Sequence, residues 1–331
     1  MIRNRSRDDR RARSLARGAA RAALAAVAWA LVASAPESAA TPAGAAAELR
    51  VGVLPDADSL PLLVAEAEGR FAAEGVNVRL VPFKTAVERD AALQAGAVDG
   101  VVADLLAAAL AAQGGFDFRV TSLTDGRYGI VAAPGSGISR AADLAGVPVG
   151  LSTNTIIQYA VESLLARAGL PAASIQGLAV PKIQVRMELL LSGQLKAACL
   201  PEPLLTVARE KGAALLASSD DAGLGAGVLM FPKSVIDARL DDIAAFYRAY
   251  WKAASAINAD NDRYRPFLVE RAGFPAEARA AFRFVRYAKP RLPSESDVRA
   301  VLSWMEAKGL LAKELAPASL LDGRAVERAA R

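Results

Sequence analysis

The sequence contains no histidine and one cysteine, Cys199. Imidazole general bases, Ser-His-Asp and Cys-His nucleophile systems, Cys-cluster or His-ligated metals and intramolecular disulfides are therefore excluded. Carboxylates, hydroxyls and a few cations remain, gathered in short polar clusters. Asp56 and Asp58 are followed by Ser59 and Pro61. Asp58 or Ser59 suits a helix N-cap with the proline in the first turn, and two acids in one loop suit a ligand amine or amide. In Phe83-Lys84-Thr85, followed by Glu88, Thr85 and Glu88 have capping-box spacing. Lys84 beside the positive helix end suits an anion, and Phe83 offers a ring face.

Ser152-Thr153-Asn154-Thr155 puts four polar residues before a helix. Thr155 with Gln158 repeats the capping-box spacing, which leaves Thr153 or Asn154 for a ligand. Tyr159, one turn in, either stacks on a ligand or packs in the core. Glu202, stiffened between Pro201 and Pro203, either complements the dipole of the next helix or shows a fixed carboxylate to a ligand. Within Thr124-Asp125-Gly126-Arg127-Tyr128, Arg127 is the best candidate for a bidentate oxyanion clamp, although the stretch also reads as an ordinary turn. Gly135-Ser136-Gly137 lacks the Gly-Lys-Ser/Thr of a phosphate loop. Cys199, in an apolar run, reads as a small buried side chain.

These clusters sit between short apolar runs and helical patterns. Strands are predicted at Leu49–Leu54, Val76–Val81, Val101–Ala103 and Phe118–Ser122, with helices over Pro61–Ala73, Ala86–Ala95 and Asp104–Gln113. After the stretch around Thr124 the pattern restarts: strands at 127–133, 147–151, 177–180, 196–200, 214–217 and 227–231 alternate with helices at 156–168, 183–191 and 203–211. This alternation implies an α/β fold of two lobes, each a mainly parallel sheet flanked by helices. The expected division is 48–125 with 233–331 for the first lobe, discontinuous and including C-terminal helices, and 126–232 for the second. Helices are expected at 240–258, 276–284 and 296–308, packed on one lobe. Ligands in such folds bind at the carboxyl ends of strands, where the polar clusters fall.

The net charge of +5 is misleading until located. Eight arginines against two aspartates fill residues 1–21, and 41–331 is neutral, so neither nucleic acid nor an anionic membrane is indicated as a partner. The arginines, the apolar run Ala22–Ala35 and the small residues Ser38, Ala39 and Ala40 have the order of a secretory signal peptide over 1–40. The apolar run is shorter than the ~20 residues that span a bilayer. A periplasmic location follows as the expectation.

The run VGVLPDADSLPLLVAEAEGRFAAEGVNVRLVPF, the segment ALQAGAVDGVVAD, and the later stretches DLAGVPVGLSTNTIIQYAVESLLARAGL and VPKIQVRMELLLSGQLKAACLPEPLLTVA resemble the nitrate/sulfonate/taurine and thiamine-pyrimidine-precursor substrate-binding proteins of ABC transporters. Gly69, Phe71, Glu74 and Gly75, then Ala92, Leu93, Gly96 and Asp99, carry the resemblance in the first lobe, while Lys196 stands where the family usually has Asp. The resemblance implies a type II periplasmic binding fold that closes on a small ligand and delivers it to a permease and its ATPase. It adds Asp104 to the candidate contacts. The expected protein is a monomeric, non-enzymatic binder without cofactor or metal, taking a small polar or anionic organic solute. A ligand-sensing periplasmic subunit or an exported enzyme on the same fold is the alternative. The fungal pyrimidine-precursor synthase resembles the family too, but it consumes a histidine that this chain lacks. Lys84 and Arg127 favour an anion; Asp56, Asp58, Asp104 and Glu202 favour an amine, amide or heterocyclic N–H. A zwitterion or a hydrogen-bonding ring suits both sets.

Overall fold

β-Branched runs on both sides of each glycine-closed helix fold into two five-stranded sheets. The structure, a computed structural model, describes residues 47–331 apart from Ala226; the expected signal peptide lies outside the described residues. The first sheet holds β1 (Leu49–Val53), β2 (Val78–Pro82), β3 (Gly100–Asp104), β4 (Phe118–Leu123) and β10 (Gly227–Pro232), in the order β2-β1-β3-β10-β4. The second holds β5 (Tyr128–Ala132), β6 (Pro148–Leu151), β7 (Gln176–Ala179), β8 (Ala197–Pro201) and β9 (Ala214–Ser218), in the order β7-β6-β8-β5-β9. β1 pairs in parallel with β2 and β3, and β6 with β7 and β8. β10 and β5, the strands on which the chain arrives from the other lobe, run antiparallel to both neighbours.

The strand expected to close the second lobe, Gly227–Phe231, thus belongs to the first sheet, and the chain returns before residue 227 rather than after 232. Side-chain patterning does not reveal this, because a strand covered on both faces reads as a continuous apolar run whichever way it points. Phe231 of β10 lies over Gly100 of β3, where an added Cβ would be 2.3 Å from two ring carbons. Gly100→Ala is expected to cost about 1–3 kcal/mol by overpacking, read as a lower urea midpoint at unchanged slope. A midpoint equal to that of the parent would show that the ring has room to move.

The predicted helix over 61–73 is two helices, Leu60–Ala67 and Arg70–Ala73, because Gly69 takes a left-handed φ of 67° between them. The long helix Leu240–Ala259 buries Ile243, Phe246, Tyr247, Tyr250 and Ile257 against the first lobe, stacking Phe246 on Phe71. The sequence also missed a helix at Asn261–Glu270, which contains Pro266. The predicted helix over 276–284 shrinks to Ala278–Ala281, followed by a chain without regular structure up to the helix Glu295–Ala307. The C-terminal region was expected on one lobe, but it touches both. Glu277 pairs with Lys211 of the second lobe at 3.0 Å, and Trp304 donates to Glu162 at 3.0 Å while its ring meets Tyr159 edge-on.

Candidate functional site

The carboxyl ends of β1 and β3 in one lobe, and of β6 and β8 in the other, face a cavity of about 50 Å³ between the lobes. Its walls include Asp56, Asp58, Arg89 and Asp104 from the first lobe and Ser152, Thr155, Ile156 and Ile157 from the second, with Tyr128 where the chain crosses between them. A side pocket of about 150 Å³ shares Asp104 and Thr155 and adds Asn154. A wider mouth of about 620 Å³ is lined by Lys84 and Lys182, one from each lobe.

Asp56 shapes its own loop: its Oδ1 accepts the backbone N–H of Ser59 at 3.0 Å. The expected cap was Asp58 or Ser59, but neither side chain caps the helix. Asp58 is instead pinned where the chain crosses, with Thr124 Oγ1 donating to its Oδ1 at 2.5 Å and Tyr128 OH to its Oδ2 at 3.2 Å. A Cβ on Gly126 would be 1.9 Å from Asp58 Oδ2, and one on Gly227 would be 2.6 Å from Oδ1. Both crossings of the chain therefore pass against this one carboxylate, and glycine at each leaves the room for it. Burial pushes the Asp56 carboxyl up to about 8, helped by the charge of Asp58. Burial also pushes Asp58 up to about 6, against the hydrogen bonds from Thr124 and Tyr128. Tyr287 OH holds the same loop by donating to Ala57 O at 2.8 Å.

Asp104 joins the lobes. Its Oδ1 caps its own helix by accepting from Ala107 N at 2.8 Å, and its Oδ2 accepts from Ile156 N at 3.3 Å, at the first turn of a second-lobe helix. One carboxylate thus sits on two positive helix ends. The two expected capping boxes are each displaced by one residue. Thr85 accepts from Glu88 N, but Glu88 reaches the N–H of Lys84; Thr155 accepts from Ile157 N, but Gln158 reaches the N–H of Asn154. Asn154 takes a left-handed φ of 56°, a conformation Asn tolerates better than most residues.

The remaining expected residues lie away from the cavity. Phe83 lies over Gly52 of β1. Ser59 and Thr85 are buried but off the cavity wall, and Thr153 is exposed. Tyr159 packs on Trp304. Glu202 turns to its own helix, accepting from Thr206 N at 3.1 Å, with its carboxyl pushed up by burial. Arg127 is already engaged, donating to Asp220 at 2.6 Å and to Arg283 O at 2.7 Å, with Glu202 3.7 Å away.

Two arginines were missed. Arg89 lies on the buried face of the helix Ala86–Gln94 with Leu93. An arginine four residues before a leucine on a helix's apolar stripe is the signal that could have found it. Arg186 is fully buried and ties three strand ends of the second lobe together. Its Nε donates to Val180 O at 2.9 Å, its Nη1 to Cys199 O at 2.8 Å and its Nη2 to Ser152 Oγ. Burial without a carboxylate partner lowers its pKa to about 10, and burial pushes the Cys199 thiol up to about 12, so no thiolate nucleophile forms there. Among the described residues, no group of three or more His, Cys, Asp or Glu is placed to hold a metal ion.

Residues 43–267 match the model of the NMT1-like family. The protein belongs to the NMT1-like family. A search of curated proteins finds no match to the NMT1-like chain. Among solved structures it is similar to the alkanesulfonate-binding protein SsuA from Xanthomonas axonopodis pv. citri bound to MOPS, with 19% identity over 84% of this chain and 98% of that one and a TM-score of 0.74. It is also similar to the periplasmic nitrate-binding protein NrtA from Synechocystis PCC 6803 (14% identity, 86% and 88% covered, TM-score 0.67). A third likeness is to the desulfurization enzyme DSZB (14% identity, 86% and 98% covered, TM-score 0.64). These likenesses establish the two-lobed fold of periplasmic binding proteins for this NMT1-like chain. They also include an enzyme built on the same frame.

Proposed function

We propose that this protein is the solute-binding component of an ABC import system, exported to the periplasm by its N-terminal segment, where it captures a small polar solute between its lobes as a monomer and passes it to a permease served by an ATPase. The observation that carries this reading is that strand ends of both lobes line one cavity, with side chains from each on its walls. A solute held there touches both lobes only when they are together, so it shifts an open–closed equilibrium by its extra contacts in the closed form. The Asp104–Ile156 contact is one that closure makes and opening breaks.

The walls narrow the solute class. Lys84 stands at the exposed mouth and Arg127 is spoken for, while Asp56, Asp58 and Asp104 line the interior. A solute bearing N–H donors suits that lining better than a bare anion. The alternative is an enzyme on this frame, as in the likeness to DSZB, although the buried Cys199 and the absence of histidine leave it neither a thiolate nor an imidazole-activated nucleophile. A thermal-shift screen of sulfonates, nitrate, amino acids, amines and pyrimidines, followed by mass spectrometry of the recovered solute, decides between the two. One equivalent bound and recovered unaltered, with a smaller radius of gyration in solution scattering, is the expected result. Recovery of a chemically changed solute overturns it.

A further inference from the structure

We infer that Asp58 is a positioning residue that latches the hinge. Its carboxylate, held on the first lobe, accepts the Tyr128 hydroxyl of the second and so sets how readily the lobes part; this rests on the reading of solute capture by closure above. Asp58 and Thr124 are each 3% exposed. Each Asp58 oxygen already accepts a hydroxyl, Thr124 Oγ1 at 2.5 Å and Tyr128 OH at 3.2 Å. Those two partners stand on different sides of the joint. Thr124 moves with the first lobe, because its N–H donates to Gly227 O of β10 at 2.9 Å. Asp125 is fixed there too, accepting from Ala288 N at 2.8 Å and from Arg291 Nη2 at 2.9 Å. Arg291 N in turn donates to Ser122 Oγ of β4 at 3.1 Å. Tyr128 opens β5, in the second sheet. Rotation of the lobes therefore falls on Gly126 and Arg127, and of the two bonds to Asp58 only that from Tyr128 spans the turning point.

Both crossings of the chain are shaped around this carboxylate. Gly126 and Gly227 lie outside the left-handed region, so their backbones would admit a side chain. Space is what a side chain lacks there. A Cβ on Gly126 would be 2.7 Å from Asp58 Oδ1 and closer still to Oδ2, and one on Gly227 would be 2.6 Å from Oδ1 and 3.5 Å from Tyr128 OH. A hydroxyl bonded to a carboxylate away from water is held more tightly than one bonded to a neutral acceptor at the surface. Parting the lobes carries Tyr128 away from Asp58 and costs that bond. A larger closed fraction before binding raises the apparent affinity for any solute that both lobes hold, so the latch acts on capture without being a contact of the solute.

Pulsed EPR distances between nitroxides at Val87→Cys and Val185→Cys test this. These residues are 69% and 39% exposed, one on each lobe, and the native Cys199 is buried. Without solute, the ratio of open to closed molecules is expected to rise about tenfold in Tyr128→Phe and in Asp58→Ala. Tyr128→Phe should add nothing in the Asp58→Ala background, because the partner it would lose is already gone. Asp58→Asn keeps a polar atom for each hydroxyl and should recover part of the closed fraction. Urea midpoints show that each labelled variant is folded, and a merely structural role would move those midpoints while leaving the distances alone. Distances equal to the parent's in folded Tyr128→Phe and Asp58→Ala, additive effects in the double variant, or an Asp58→Asn protein as open as Asp58→Ala overturn the inference. If a sulfonate, nitrate, amino acid, amine or pyrimidine narrows the distances of the parent while both variants match the parent, the solute-binding reading stands and this inference falls. If neither variant nor any of those solutes changes the distances, both fall.

Discussion

Arg186→Met is expected to lower the thermal midpoint by roughly 4–6 °C, the effect of about 3 kcal/mol in a chain of this size. The guanidinium is fully buried and reaches Val180 O, Cys199 O and Ser152 Oγ, which lie beyond β7, on β8 and beyond β6. Methionine fills much of the same volume but leaves two carbonyls and a hydroxyl short of a donor inside the second lobe. The buried arginine carries its own desolvation cost, shown by its lowered pKa, and removing that cost returns part of the loss. The balance still favours the arginine, because each hydrogen bond from a charged group contributes about 1.5–3 kcal/mol. Arg186→Lys should not rescue, since one ammonium cannot span three acceptors set by a planar fork. Because Ser152 also lines the cavity, solute affinity should fall in both variants. Calorimetric melts of the parent and both variants check this. Midpoints within a degree or two of the parent would mean that the strand ends hold their positions without the arginine.

Much of the architecture was legible because its signals are local. Apolar runs such as Val101–Ala103, and glycines at helix ends such as Gly96, Gly169 and Gly193, all with positive φ, mark each βα unit by steric rules that act within a few residues. The reversed direction of β5 and β10 was not legible, because direction in a sheet is settled by which strands are already in place. The helix containing Pro266 was hidden by a residue that argues against helix.

In the cleft, Asp56, Asp58 and Thr155 were singled out by position and Asp104 by the resemblance, and all four line the cavity. Which charge is available there depends on partners distant in sequence. Arg127 looked like a clamp or part of a turn until Asp220 and Arg283 engaged it, and of the two readings of Glu202 the structure has the one at its own helix, where it accepts from Thr206 N. Arg89 was not singled out because composition alone does not show which face of a polar helix turns inward. Helix spacing of Arg89 and Leu93 shows it, but only once the stripe is looked for.

Between about pH 4 and pH 8 the protein free of solute is expected to lose stability as pH rises. Asp56 and Asp58 have folded-state pKa values raised above the ordinary 3.8, to about 8 and about 6, chiefly by burial. The folded chain therefore keeps protons that the unfolded chain releases. This contribution is complete below the unfolded value and fades as pH passes through the folded ones, with a slope of up to ~1.4 kcal/mol per pH unit for each group titrating alone. The pair titrates as a unit, so the loss spreads over the whole window. The groups facing Asp56 are Asp58 and Arg89, with Asp104 and Tyr128 on the same cavity wall. Of these charged and titratable groups Arg89 alone favours the ionised form, after the larger effect of the hydrogen bonds from Ser59.

Glu74, held down by Lys252 and Arg248, and Asp322, held down by Arg324, act with the opposite sign below their ordinary values of 4.5 and 3.8, at and below the acid edge of this window. Asp56→Asn keeps an acceptor for the Ser59 N–H but carries no proton to lose. It should be more stable than the parent at about pH 8.5, by about 2 kcal/mol, with little gain at about pH 5. Thermal midpoints of the two proteins across this range are the measurement, and parallel curves would remove Asp56 as the titrating group. A cationic solute group seated on Asp56 should erase the difference at high pH, because it supplies the positive charge that the ionised carboxylate lacks.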